Sequence, residues 1–308
     1  MEEQLYDIVG DVHGYADKLR QLLEQMGYEQ QKGVYSHPSR KVIFVGDWID
    51  RGPQVRETLS LVRAMIDGGL ALAVMGNHEY NAIAFHLENP TGGHVRPHTI
   101  KNIHQHYQTL YQFKDYTDEW QDYVSWFLTI PLYLDLPSIR VAHASWDDSH
   151  IALLDQLLPN GRLTPSLVQK AAIKNTPFWK AVEETLKGKE ARLPHNQFFR
   201  DKDGILRHES RIRWWTNHSD STTYADYFFD APAAIASLPV DYDLYPTGVT
   251  LDETSKPLFF GHYWLQGQPC LGSPRAACVD FSIAKGGFLA AYRWQGENEL
   301  TNEHLVWV

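Results

Sequence analysis

Three short polar segments constrain this chain more than any other feature: Gly10-Asp11-Val12-His13-Gly14, Gly46-Asp47-Trp48-Ile49-Asp50-Arg51-Gly52 and Gly76-Asn77-His78-Glu79. Each follows directly on an apolar run of strand length. A single carboxylate beside a glycine is ordinarily just a turn. Three such clusters, all at strand ends, point instead to one shared site, because a parallel α/β sheet gathers its ligand loops at the carboxyl ends of its strands.

The runs between the clusters predict that sheet. Leu5–Val9, Lys41–Val45 and Leu70–Met75 are apolar and strand-length, whereas Tyr15–Met26, Val55–Ile66 and Glu79–Leu87 mix polar and apolar residues at helical spacing. The N-terminal part therefore reads β-α-β-α-β-α. Over 98–128 the pattern is helical and aromatic, and Trp120, Tyr123, Trp126 and Phe127 fall where they form one packing face. Pro131–Leu136 and Ile139–Ala144 read as strands divided by Pro137-Ser138, which delivers His143 to a loop.

Residues 149–245 are less regular, with helical patterns near 164–173 and 178–187 and a turn signal at Asp203-Gly204, and predict an inserted cap. Beyond them Pro257–Phe260 leads into Gly261-His262, and Ala277–Phe281 with Gly287–Trp294 reads as a hairpin around Lys285-Gly286-Gly287. With no internal repeat, the expectation is one domain over 1–308 carrying a cap insertion at about 150–245.

Composition narrows the function. Of 308 residues 43% are apolar and 21% charged, enough for a full core. Against 28 Lys and Arg stand 38 Asp and Glu, a formal charge of −10, so a nucleic-acid polymer is excluded as main partner. Small phosphates are not, since bound divalent cations reverse the sign inside a carboxylate-lined cleft. Cys270 and Cys278 form no metal-binding or disulfide pattern and are expected to be buried thiols. No basic-then-apolar leader opens the sequence and no run approaches membrane-spanning length, which predicts a cytoplasmic protein without membrane contact.

The Asp, His and Asn side chains of the three polar segments are oxygen and nitrogen donors without an accompanying thiolate, which suits manganese, iron, zinc or similar ions, and isolated histidines follow at two further strand ends, His143 and His262. An Asp and a His two apart at a strand end can face one ion, and the adjacent glycines allow tight turns.

In order and spacing, the three segments closely resemble the signature of the calcineurin-like metallophosphoesterases, in the branch of phosphoprotein phosphatases and diadenosine tetraphosphatases. Phe127–Ser145 is similar to that branch's strand pair ending in a metal-binding His, with Ala144-Ser145 where glycine-like residues are common. Val279–Trp294 resembles its closing hairpin. The resemblance implies an α/β fold, a four-layer α/β/β/α sandwich of two mixed sheets, here with a partly helical cap inserted.

It also implies roles. Two divalent ions are expected, manganese first, with iron, zinc, nickel, cobalt or magnesium as alternatives. Asp11, His13 and Asp47 would hold one ion, and Asp47, Asn77, His143 and His262 the other, with Asp47 bridging. Trp264 stands where many relatives outside the branch carry a further His ligand. Hydrolysis would proceed by attack of a hydroxide bridging the metals, with His78 as acid, Asp50 orienting it and Arg51 gripping phosphate oxygens. A second phosphate-binding Arg is sought among Arg200, Arg211 and Arg213. Trp48, Trp146, Trp214, Trp215 and Trp264 are candidates to stack on a substrate ring, Trp48 and Trp264 foremost. Glu79, Asp17 and Asp147 read as caps or supporting partners.

Expected substrates are phosphorylated small molecules, nucleotides or phosphoproteins. Phosphate monoesters come first, dinucleoside tetraphosphates second, and a non-catalytic metal-scaffolded binding module is the minor alternative.

Overall fold

In the strand Leu5–Val9 the neighbouring side chains Ile8 and Val9 must face opposite ways, and both are fully buried. Ile8 joins an apolar cluster with Ile43, Val45, Val141, Phe259 and Tyr292, contributed by two sheets. Val9 belongs instead to a larger cluster with Leu19, Leu22, Leu59 and Val62 of two helices, Ala16–Gln25 and Val55–Asp67. A strand buried on both faces thus dictates the layering: two sheets face to face, with helices outside. This is the expected α/β/β/α sandwich.

The computed structural model describes residues 4–200, 204–216, 221–245 and 254–308. Asp203 of the expected turn lies outside the described residues. The main sheet runs Ala71–Ala73, Arg40–Phe44, Leu5–Val9, Phe288–Trp294, Asp280–Phe281, and Leu305–Trp307 also pairs with Phe288–Trp294. Leu5–Val9 is parallel to Arg40–Phe44 and antiparallel to Phe288–Trp294, with Ile8 opposite both Ile43 and Tyr292. The second sheet runs Ala276–Cys278, Leu258–Phe260, Arg140–Ala142, Tyr133–Asp135, parallel except at its last pair. Both sheets are mixed.

Three expectations need correction. The expected strand Ala277–Phe281 is two strands: Ala276–Cys278 belongs to the second sheet, and only Asp280–Phe281 pairs with Phe288–Trp294. The chain changes sheets at Val279, whose N–H donates to Phe260 O at 2.8 Å. Cys270 is exposed and only Cys278 is buried, because Cys270 lies in an irregular loop between sheet strands. A hairpin, Glu29–Gln31 with Val34–Ser36, interrupts the βα alternation; its first strand is polar and exposed, so it carried no apolar signal.

Helices Ile100–Gln112 and Thr117–Phe127 fill the aromatic stretch, and Trp120, Tyr123, Trp126 and Phe127 are all buried. The stretch expected as an insertion begins with Asp148–Leu157, capped by Asp147, whose Oδ1 accepts from Ser149 N at 2.9 Å. Helices Pro165–Ala171 and Pro177–Lys187 follow, each entered through a Thr cap with Pro at its first turn. Two small hairpins come next, Glu190–Arg192 with Glu209–Arg211 and Phe199–Arg200 with Leu206–Arg207. Trp214 ties this region to the second sheet, donating to Ala144 O at 3.1 Å with its ring centroid 4.8 Å from that of Phe260. Among the described residues no helix is long and apolar enough to cross a membrane.

Candidate active site

The strand ends of both sheets converge. Asp11 and His13 follow Leu5–Val9, Asp47 follows Arg40–Phe44, Asn77 follows Ala71–Ala73, His143 follows Arg140–Ala142 and His262 follows Leu258–Phe260. His13, Asp47, Asp50, Arg51 and His262 all have left-handed φ, between 48° and 70°. Such conformations are unfavourable for residues with a Cβ and persist only where the surroundings enforce them. Space is equally tight. A Cβ on Gly76 would lie 2.2 Å from Asp47 Oδ1, and one on Gly261 2.1 Å from Asp11 Oδ1.

Asp47 stands at the centre. Its Oδ1 lies 3.5 Å from His143 Nε2 and its Oδ2 3.7 Å from His13 Nε2 and 3.9 Å from His78 Nε2. Ligand atoms of His13, Asp47 and His78 lie within 4.8 Å of one another, as do those of Asp47, His143 and His262. The imidazoles are oriented from behind: Nδ1 of His13 donates to Ile49 O at 2.9 Å, and Nδ1 of His143 to Val45 O at 2.7 Å. Each bond turns Nε2 toward Asp47. Asn77 Oδ1 lies 3.1 Å from His143 Nε2. His262 Nε2 is buried without a hydrogen-bond partner, a costly state for a polar nitrogen unless it binds a cation.

Asp11 lies apart from those two triads and lines the same cleft, accepting from His262 N at 3.1 Å. Its pKa is raised well above the carboxylate range by burial, by Asp280 and by Asp47. Burial, with His78 beside it, lowers His13 to about 4, which keeps it a neutral donor. Buried carboxyl oxygens beside His13 and His262, both lowered by burial, are donors a divalent ion can take, so the donor set fits one.

Glu79 ties two of the loops together. Its Oε2 accepts from Asp47 N at 2.8 Å and Gly76 N at 3.1 Å, and its Oε1 from Trp48 N at 2.8 Å. Burial and the Asp47 charge raise it to about 7. As a supporting partner it acts through backbone rather than through ligand atoms.

Beside this centre, His78 Nδ1 lies 2.5 Å from Asp50 Oδ2. Burial pulls the His78 pKa down, but Asp47 and Asp50 outweigh it and raise the imidazole above its usual value. Arg51 is exposed on the cleft wall. The cleft encloses about 1410 Å³ and is also lined by Arg96, Arg192, Arg200, Arg207 and Arg211. Of the three arginines sought for the second phosphate contact, Arg200 and Arg211 line it. Arg213 instead lies over the Phe229 ring, 5.1 Å from its centroid. Arg211 Nε is buried without a partner.

Of the five tryptophans, Trp264 alone lines the cleft, with Arg211 at 4.5 Å on its ring and Lys285 at 4.3 Å. Trp48, expected to share that position, is fully buried against Trp126 and Phe127, because its side chain follows the strand's helix-facing side. Trp146, Trp214 and Trp215 are core residues too.

Besides Arg96, Arg192 and Arg207, the residues His106, Thr109 and Asp280, which the sequence did not single out, reach the site. His106 and Thr109 are buried on helix Ile100–Gln112 and bond to Asp50. A polar pair at i, i+3 is too common to have marked them. Asp280 follows the sheet change at Val279 and accepts from Trp264 N at 2.6 Å and Ser282 N at 3.0 Å. The strand-end logic that found Asp47 could have found it.

Comparison with known proteins agrees with this arrangement. The model of the calcineurin-like phosphoesterases matches residues 6–262. A "Bis(5'-nucleosyl)-tetraphosphatase PrpE [asymmetrical]" of Oceanobacillus iheyensis is 32% identical over 153 residues, 49% of this chain and 60% of that protein. The protein of the same name from Halalkalibacterium halodurans is 46% identical over 74 residues, 24% of this chain and 30% of its own length. The match thus spans less than two thirds of either relative. Among solved structures, a cold-active protein-tyrosine phosphatase of a psychrophilic Shewanella is similar in fold. Its TM-score is 0.52 at 19% identity, over 98% of this chain and 81% of that one.

Proposed function

The chain belongs to the calcineurin-like phosphoesterase family of metal-dependent phosphoester hydrolases, and we propose that within it this protein cleaves dinucleoside polyphosphates. The observation that carries this reading is the cleft. On a chain of net charge −10, arginines from the core loops and from the inserted hairpins line one cavity of about 1410 Å³. An arginine can hold one phosphoryl group through a bidentate, charge-assisted pair of hydrogen bonds. Arg51, Arg96, Arg192, Arg200, Arg207 and Arg211 suit a chain of phosphates, and the two PrpE relatives carry the name of such an activity. The order of the two enzymatic readings is therefore the reverse of that expected from sequence.

In this proposal Asp11, His13 and Asp47 hold one divalent ion, and Asp47, Asn77, His143 and His262 a second, manganese being the first to supply. Such ions, when bound, neutralise phosphate oxygens and make water nucleophilic at neutral pH. The remaining work falls to the chain itself. Arg51 and Arg211 grip outer phosphate oxygens from two walls, Arg211 with a buried Nε that has no hydrogen-bond partner. His78, held by Asp50 and with its pKa raised by Asp47 and Asp50, presents Nε2 to the leaving oxygen and protonates it. Trp264, with cations on its ring, offers a face for a base at the cleft wall. Residues 150–245 act as the cap that supplies the outer cations, within one domain, and the protein works in the cytoplasm.

Incubation of manganese-loaded protein with diadenosine tetraphosphate, followed by chromatography, should yield mononucleotide products. An unchanged dinucleotide under saturating manganese overturns the reading. A phosphomonoesterase is the second reading, favoured by the His78–Asp50 pair, because departure of an alkoxide demands a proton. Faster release of phosphate from an alkyl phosphate than of nucleotides from the tetraphosphate would establish it instead.

A further inference from the structure

Asp50 is held from two sides. Its Oδ2 lies 2.5 Å from His78 Nδ1, and its Oδ1 accepts from His106 Nδ1 at 2.8 Å and from the Thr109 hydroxyl at 2.6 Å. The Asp50 N–H donates in turn to Thr109 Oγ1 at 3.0 Å. A carboxylate free to rotate about its Cβ–Cγ bond would swing Oδ2 away from His78. The bonds from helix Ile100–Gln112 oppose that rotation.

We infer that His106 is a positioning residue of the hydrolytic site, locking the Asp50 carboxylate so that His78 keeps one orientation toward the leaving oxygen. This rests on the reading of His78 as the acid. The surroundings of His106 separate this role from packing. The ring is buried, and its centroid lies 5.4 Å from that of Phe85, 5.5 Å from Trp120 and 5.9 Å from His86. A phenylalanine would fill that aromatic slot without stranding a polar atom, yet the histidine leaves Nε2 buried with no hydrogen-bond partner. An imidazole that tolerates an unsatisfied nitrogen among rings is there for its other nitrogen, and that nitrogen bonds Asp50.

The test combines spectroscopy and turnover in zinc-loaded protein. The downfield His78 Nδ1–H proton resonance, assigned by its disappearance in His78→Asn, should shift or broaden away in His106→Phe. It should return in His106→Asn, whose side-chain amide can occupy the place of Nδ1. With aryl esters of falling leaving-group acidity, His106→Phe should lose about tenfold more activity on the poorest leaving group than on the best, a fraction of what general-acid catalysis supplies. Thr109→Val, which removes the other bond to the same oxygen, gives the same readings should His106→Phe not fold. An unmoved resonance, with a leaving-group dependence parallel to wild type, overturns the role of His106. A flat dependence in His78→Asn itself overturns the acid reading instead, while the resonance still decides whether His106 positions the pair.

Discussion

Asp47 Oδ1 lies 3.5 Å from Nε2 of His143, joining the loops of two different sheets. With its Oδ2 turned toward His13, the one carboxylate serves both halves of the site. Asp47→Ala should therefore abolish binding of both ions rather than one, and reduce turnover on the order of a thousandfold, the several kcal/mol that metal-stabilised charge contributes. Elemental analysis of the variant checks this. Retention of one full equivalent of metal would show that the carboxylate does not bridge.

Gly76 has an ordinary extended backbone, so only space demands glycine there. A methyl group would meet Asp47 Oδ1 at 2.2 Å and Glu79 Oε2 at 2.6 Å. Gly76→Ala is expected to cost about 1–3 kcal/mol, as overpacking of a tight site does, and to weaken metal uptake by displacing Asp47. Denaturant unfolding and metal titration measure the two effects; wild-type values in both would contradict the geometry.

Stability should depend on pH in a way that metal removes. Burial and Asp47 raise Glu79 from 4.5 to about 7, and Asp11 is raised as well. Between pH 4.5 and about 7 the native metal-free protein thus binds more protons at Glu79 than the unfolded chain does, so the contribution of Glu79 to stability falls as pH rises through that window, while that of His13, lowered to about 4, runs the opposite way. Divalent ions compensate the crowded negative charge, so the gain in Tm on adding manganese should grow with pH across the same range. A gain independent of pH would rule this out.

Arg211 and Arg213 are two residues apart but face different environments, the cleft and the Phe229 ring. Arg211→Met should raise KM for diadenosine tetraphosphate by about tenfold, the loss of one charge-assisted phosphate contact. Arg213→Met should leave KM as it is. Steady-state kinetics on both distinguish a cleft contact from a general effect of lost charge.

The core of the fold was legible because its signals are local. Leu5–Val9 appears with the predicted bounds, and Val55–Ile66 differs from the helix Val55–Asp67 only at its end. The six residues expected to bind metal were named from the family resemblance of segments that each follow an apolar strand. Less regular stretches were harder: the exposed strand Glu29–Gln31 has no apolar face to display, and the sheet change at Val279 divides a run that is apolar throughout.

By itself, the sequence determined which residues sit at strand ends and where strands and helices alternate, since periods of 2 and 3.6 depend only on near neighbours. Only the tertiary structure decided that His106 and Thr109 reach Asp50, that Arg211 rather than Arg213 enters the cleft, and that Trp48 turns into the core while Trp264 does not. These depend on how a helix, a hairpin and a loop pack against strands distant in the chain. Such packing is set by shape and by the satisfaction of buried polar groups, which leave no periodic trace along the sequence.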